Sequence, residues 1–121
     1  MADTIYEGLG EEKLDQLVER FYGFVLENPV ISPLFTTDIV LVKQKQKAFL
    51  TQFLGGPPLY NQTYGHPRMR MRHLPHRITE TAATEWLKCM HTAIQTLDID
   101  EDFKVTLFNC FPRLAAHMVN A

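Results

Sequence analysis

The sequence is short of the features that mark membrane, secreted or disulfide-bonded proteins. No run of about 18 apolar residues occurs in the 121 residues, so nothing is long enough to cross a bilayer. The first ten residues, MADTIYEGLG, are polar and acidic, which excludes a signal peptide of the usual kind. The two cysteines, Cys89 and Cys110, have no CxxC spacing and fall in helical patterns. We therefore expect buried free thiols in a cytoplasmic protein.

Positive charge and side-chain metal motifs are also scarce. Twelve Lys and Arg stand against fourteen Asp and Glu, a formal net charge of -2. This balance argues against a nucleic-acid partner, because phosphate binding needs a basic surface. The sequence has no HExxH motif, and no carboxylate or cysteine lies at metal-site spacing around His73. A mononuclear zinc or iron site held by side chains alone is therefore poorly supported.

Helical periodicity is the dominant pattern that remains. Apolar residues recur every three or four positions in four segments, and no stretch alternates as a strand would. The predicted helices run from Glu11 to Leu26, from the N-cap Asp38 to about Leu54, and onward from the N-caps Thr79 and Asp100. The sequence thus predicts one all-α domain spanning residues 1–121.

Two places interrupt this pattern. Pro112 lies inside the fourth helical pattern and is expected to kink it, because proline removes a backbone hydrogen bond. Residues 55–72 hold six of the thirteen Gly and Pro residues, which predicts a long connection with little regular structure. Loops this long in a compact domain are usually functional.

Three apolar helix faces each carry one side chain with a hydrogen-bonding tip. These are Tyr22 on the first helix, Gln46 on the second and Trp86 on the third. A buried hydrogen-bonding group without a partner costs roughly 1–3 kcal/mol of stability. One interpretation is that each tip binds a backbone carbonyl and is an ordinary core residue. The other is that the three converge as a donor cluster for a polar diatomic or oxyanion ligand.

The stretch GHPRMRMRH, residues 65–73, gathers cations, sulfur and imidazole in an otherwise acidic chain. A local basic cluster in such a chain suits a small anion. A lone imidazole such as His73 is sufficient as the axial ligand of a haem, because the porphyrin supplies four nitrogens. Met69, Met71 and Leu74 would suit the apolar porphyrin face, and Arg68, Arg70 and Arg72 its propionates. From the residues alone, a solvated basic loop stays the alternative.

The other histidines carry weaker signals. His91 and His117 lie in helical segments without a second ligand at i+3 or i+4, and we expect them at the surface or its boundary. His66 opens a short turn and is suited to capping it. None of them competes with His73 as an axial ligand.

The sequence resembles the group II truncated haemoglobins over nearly its whole length and in register. The motifs that carry the resemblance are Phe21-Tyr22, Phe35, KQKAFLTQFLGGPPLY (45–60), GHPRMRMRHLP (65–75), WLKCMHTA (86–93) and AAHMVN (115–120). The resemblance implies a globin-like two-over-two helical sandwich enclosing a haem b, with a shortened first helix and a proximal helix of about one turn.

The resemblance also implies roles for individual residues. His73 corresponds to the proximal ligand of the haem iron, and Tyr22, Gln46 and Trp86 to the residues that contact bound O2. The expected haem contacts are Phe35, Val42, Lys45, Phe49, Tyr60, Met69, Arg72, His76 and Ile78, with Trp86. Among these, Phe35 wedges against the porphyrin, and Lys45, Tyr60 and Arg72 fall at propionate-contacting positions.

Two positions depart from the family pattern. Val42 stands at the distal gate, where relatives often have Thr, Ala or Ser, so the donors must be Tyr22, Gln46 and Trp86. His76 follows Leu74-Pro75, where an aromatic residue is usual. Three interpretations of His76 stay open: an exposed substitution at the haem edge, an extra propionate contact, or a pH-sensitive group.

The function implied is that of a cytoplasmic globin that binds O2 reversibly, and CO and NO as well. Two or three donors in a low-dielectric pocket should slow O2 release, which suits scavenging, sensing or redox chemistry better than bulk oxygen transport. The alternative is a haem enzyme, an NO dioxygenase or peroxidase, that needs an external reductase. No membrane partner is expected, and the chain would be a monomer or weak homodimer.

Overall fold

Helices make up the architecture of the described part of the chain, residues 4–35, 38–65 and 78–119 of a computed structural model. They are α1 (Ile5–Leu9), α2 (Glu11–Glu27), a 3-10 helix (Ser32–Leu34), α3 (Ile39–Phe53), α4 (Leu59–Tyr64), α5 (Glu80–Gln95), α6 (Glu101–Phe108) and α7 (Pro112–Met118). No strand occurs in these three ranges, and the prediction of an all-α fold is confirmed. Within them, no helix combines the length and the apolar character that crossing a membrane requires.

The predicted N-caps lie where the long helices begin. The Asp38 carboxylate accepts hydrogen bonds from the backbone N–H groups of Val40 (3.0 Å) and Leu41 (3.4 Å). The Thr79 hydroxyl accepts one from the Ala82 N–H at 3.0 Å. Asp100 precedes α6 as predicted, although its side chain makes no capping hydrogen bond. Capping satisfies donors that have no partner within the helix, which is why these residues mark helix starts.

The helices pack on one another to form the sandwich. α2 packs against both α3 and α5, while α5 packs against α6 and α7. The apolar stripes of the long helices meet between them, and each fully buried side chain contributes about 1.5–3 kcal/mol. The fully buried large residues of this core include Leu14, Leu17, Phe21, Val25, Leu50, Met90, Ile94, Leu107 and Phe111.

The prediction of a largely irregular 55–72 segment is wrong in its first half, because α4 forms there. Pro58 precedes the helix, and Gly65 ends it at a φ of 80° that a glycine adopts without strain. Tyr60 anchors the short helix by burying its side chain. Pro57-Pro58 ends the helical pattern of α3, and proline is also common near the start of a helix. Residues 66–72 lie outside the described residues.

The expected kink at Pro112 is instead a break. α6 ends at Phe108, and α7 starts with Pro112 as its first residue. Proline at a first helical position loses nothing, since that N–H has no partner within the helix. A further difference is α1, which the periodicity did not indicate; Thr4 caps it by accepting a hydrogen bond from the Glu7 N–H at 3.0 Å.

Most residues of the apolar stripes are buried or half-buried. Phe53, on the stripe of α3, is instead 38% exposed because it lies in the last turn of that helix, with its ring stacked on Phe49 at 5.6 Å. Cys110 is half-buried, whereas Cys89 is buried as expected, and both are free thiols. His91 and His117 are exposed, which confirms their assignment to the surface.

α1 is held against the turn that follows α3. The Tyr6 N–H donates to the Leu54 carbonyl at 2.9 Å. A Cβ on Gly56 would approach the Tyr6 ring to 2.7 Å and the Thr51 carbonyl oxygen to 2.8 Å. These distances are too short for a side chain, so this turn needs glycine for α1 to dock.

Gly56→Ala is therefore expected to lower the free energy of unfolding by about 1–3 kcal/mol, the usual cost of overpacking. Gly23→Ala is the matched control, because a Cβ at that exposed position in α2 meets nothing within 4 Å. It should stabilise the protein by about 0.5–1 kcal/mol through helix propensity. Urea unfolding monitored by circular dichroism measures the free energy of unfolding of both variants. A Gly56→Ala protein as stable as wild type would contradict the close docking of α1.

Candidate functional site

Tyr22 lies on α2 with its phenol enclosed by aromatic rings. The residue is 3% exposed, and its ring meets Phe21 edge-on at 4.9 Å and Phe35 edge-on at 5.6 Å. Burial raises the pKa of Tyr22 far above its usual value, because a phenolate would lose its hydration. The hydroxyl therefore stays protonated and keeps its ability to donate a hydrogen bond.

Trp86 lies on α5 and shares a neighbour with Tyr22. It is 9% exposed, and its ring meets Phe21 edge-on at 5.1 Å and packs against Phe111 at 5.9 Å. Phe21 thus contacts both residues, and two of the three predicted donor side chains lie around one phenylalanine ring. Gln46, the third, is half-buried on α3, which also packs against α2.

The polar tips of Tyr22, Gln46 and Trp86 are not satisfied by the core around them. None of the three side chains makes a hydrogen bond to a described residue. At the same time, no side-chain nitrogen or oxygen in the described ranges is both fully enclosed and without a partner. The Tyr22 hydroxyl and the Trp86 indole N–H are therefore available to a partner that the described residues do not provide. The interpretation that backbone carbonyls satisfy them does not hold here.

The lysines of α3 are held in two different ways. Two of them pair with carboxylates on α2. The ion pairs are Lys43–Glu19 (3.0 Å), Lys47–Glu11 (3.1 Å) and Lys47–Asp15 (2.7 Å). Lys45, between them in sequence, has no carboxylate partner in the described part of the chain; its Nζ lies 5.4 Å from the centre of the Tyr64 ring. Lys45 is thus a half-buried cation available to an anion.

Tyr60 and Phe49 form a further aromatic contact, between α3 and α4. Tyr60 is buried, with its ring edge-on to Phe49 at 6.0 Å and 5.1 Å from Tyr64. Of the other predicted haem contacts, Ile78 is buried and Val42 is half-buried on the same helix as Gln46. The predicted residues on α2 to α4 therefore belong to helices that pack against one another.

Four predicted site residues, Met69, Arg72, His73 and His76, lie outside the described residues. Their assigned roles stay predictions. Among the residues that the structure does describe, no cluster of three or more His, Cys, Asp and Glu is arranged to hold a metal ion.

Sequence reasoning missed Tyr64. Its ring contacts Lys45 and Tyr60. Lys45 and Tyr64 lie 19 positions apart on different helices, and no periodicity relates them. The one available signal is the spacing of Lys43, Lys45 and Lys47. On a helix, residues four apart share a face and the residue between them points away, so Lys45 is expected to face away from the other two.

The described side chains fit a haem with a bound polar ligand. Protonated donors without a partner among the described residues suit a ligand with partial negative charge, and surrounding aromatic rings exclude water and suit a porphyrin face. Lys45, which lies over the Tyr64 ring and has no carboxylate partner in the described ranges, suits a carboxylate such as a propionate.

Comparison with known proteins gives the family. A model of the bacterial-like globins matches residues 4–120. The chain is 46% identical over 115 residues to the group 2 truncated hemoglobin YjbI of Bacillus subtilis, covering 95% of this chain and 87% of that protein.

Solved structures show the same likeness. The group II truncated hemoglobin of Bacillus anthracis has 40% identity and a TM-score of 0.93, with 99% of this chain and 98% of that chain covered. A truncated oxygen-avid haemoglobin from Bacillus subtilis has 45% identity and a TM-score of 0.91, with 98% and 100% covered. The chain therefore belongs to the bacterial-like globins and is a haem-binding, group II truncated haemoglobin with the two-over-two fold.

Proposed function

We propose that the protein holds haem b through His73 and binds O2 reversibly, with Tyr22, Gln46 and Trp86 as the groups that hold the ligand. Bound haem supplies a ferrous iron at which diatomic molecules bind reversibly. The observation that carries the proposal is the buried, protonated Tyr22 hydroxyl, which has no partner among the described residues and whose ring shares the neighbour Phe21 with Trp86.

The donors set how firmly O2 is held. A bound O2 molecule carries partial negative charge on its outer atom, and a donor that is fixed in a low-dielectric pocket stabilises that charge without reorganising. Tyr22 supplies an O–H, Trp86 an indole N–H and Gln46 an amide N–H. Val42 has no hydrogen-bonding group, so the gate position adds no donor to these three.

Other side chains of the site would hold the haem itself. Phe35, Val42, Phe49, Tyr60 and Ile78 provide apolar contact, and Lys45 provides an ammonium group for one propionate. Met69 and Arg72 belong to the same proposal through their positions in the basic stretch, and His76 through its position after Leu74-Pro75. The partly solvated ion pairs with propionates would each contribute modestly, at about 0.2–1 kcal/mol.

Slow ligand release is the physiological consequence. One donor is worth roughly 1–1.5 kcal/mol, which is about a tenfold change in dissociation rate. With two or three donors, the protein would suit O2 scavenging, sensing or redox chemistry more than bulk transport. The Bacillus subtilis protein described as oxygen-avid is consistent with this expectation. Turnover with an external reductase would instead identify an NO dioxygenase or a peroxidase.

Reconstitution tests the proposal directly. The purified protein titrated with haem b should develop a Soret band that saturates at one haem per chain. The reduced form should shift its spectrum reversibly with O2 and with CO. Haem in buffer without protein is the control. A titration that never saturates, or a reduced form that O2 oxidises at once without a bound state, would contradict the proposed function.

A further inference from the structure

We propose that Tyr64 is a positioning residue for haem binding, whose ring holds the Lys45 ammonium group ready for a haem propionate. The inference rests on the proposed function, since it needs a haem bound beside α3. It adds a residue that neither the motifs nor the resemblance assigned.

The first support is the contrast among the lysines of α3. Lys43 and Lys47 are neutralised by carboxylates at 2.7–3.1 Å. Lys45 meets an aromatic face instead, with its Nζ 5.4 Å from the Tyr64 centroid, and no described carboxylate pairs with it. A carboxylate partner would cancel the charge that a propionate needs, whereas a ring restrains the ammonium group and leaves its charge available.

The second support is that the ring is fixed independently of Lys45. Two hydrogen bonds join α3 to α4: Gln52 Nε2 donates to Asn61 Oδ1 at 3.2 Å, and the Asn61 N–H donates to Gln52 Oε1 at 3.0 Å. Tyr60 is buried in the same short helix and packs against Tyr64 at 5.1 Å. Tyr64 is therefore a fixed surface on which the flexible lysine rests.

The physical effect is preorganisation. A lysine side chain has four rotatable bonds and loses rotamer entropy when it binds a carboxylate. A cation held within about 6 Å of an aromatic face has already lost part of that freedom. The ring should therefore slow haem loss by making the contact between Lys45 and a propionate less costly to form.

A mutant cycle measures this effect as the rate of haem transfer from the ferric protein to excess apomyoglobin. Tyr64→Leu should speed haem loss about threefold, from the magnitude of an exposed cation–π contact. Tyr64→Phe keeps the ring and should lose haem more slowly than Tyr64→Leu. Lys45→Met should speed haem loss by a similar factor or more. Adding Tyr64→Leu to Lys45→Met should change little, because the two residues act as one unit.

Haem dimethyl ester separates positioning from simple packing, because its propionates carry no charge. With the ester, Tyr64→Leu and wild type should lose the cofactor at equal rates. Equal acceleration with haem and with the ester, additive effects in the cycle, or a Tyr64→Leu rate equal to wild type would each overturn the role of Tyr64. Those results would leave the Soret band intact, whereas failure of the proposed function would remove the band in wild type itself.

Discussion

Replacing His73 with Ala is expected to abolish tight haem retention, or to leave the iron with a different axial ligand. The imidazole is the single protein bond to the metal in this proposal, so no other residue shares its role. The purified variant should carry little haem. Any haem added back should give a reduced, ligand-free spectrum that differs from wild type.

The controls are two histidines that the fold places at the surface. His91 and His117 are exposed on α5 and α7, so His91→Ala and His117→Ala should retain haem as wild type does. An unchanged reduced spectrum and unchanged haem affinity in His73→Ala would show that the ligand is assigned to the wrong residue. Loss of haem in all three variants would indicate a general effect on folding instead.

O2 dissociation is expected to rise about tenfold in Tyr22→Phe and again about tenfold in Gln46→Leu, each through the loss of roughly 1.4 kcal/mol. Both changes nearly conserve shape. Since neither side chain bonds to a described residue, the free energy of unfolding of the apoprotein should not fall by more than about 0.5 kcal/mol. Stopped-flow replacement of O2 by CO measures the rate, and urea unfolding measures the stability.

The double variant tests whether the two groups share one ligand. Its O2 dissociation should depart from the product of the single effects, because groups that contact the same molecule are coupled. CO carries less charge on its outer atom, so its dissociation should respond much less. O2 dissociation within about twofold of wild type in both single variants would refute the donor pocket, and an equal response of CO would indicate a steric effect.

The main helices could be predicted because their signals are local. The Asp38 and Thr79 caps and the three-four spacing of apolar residues sit within one helix, and these helices begin at or one residue after the predicted start. α4 was not predicted because Pro57-Pro58 both ends one helix and precedes another. The proline pair was interpreted as the end of α3, and the start of α4 was overlooked. α1 was missed because five residues are too few to show a period.

In the site, too, the features that could be predicted are those with a signal within one helix. Tyr22 and Trp86 could be proposed as site residues because each places a polar tip on an apolar stripe, a conflict that is visible in sequence. The contact of Lys45 with Tyr64 could not, because it depends on how α4 folds back against α3. Long-range contacts of this kind leave no trace in spacing along the chain.

Phe21 constrains how this protein can evolve. Its fully buried ring touches both Tyr22 and Trp86, so the same atoms belong to the core and to the proposed ligand site. A lineage that altered the size of this ring would shift both donors together while also losing core packing. Ligand affinity should therefore drift through the donor residues themselves, and Phe21 should be among the slowest positions to change.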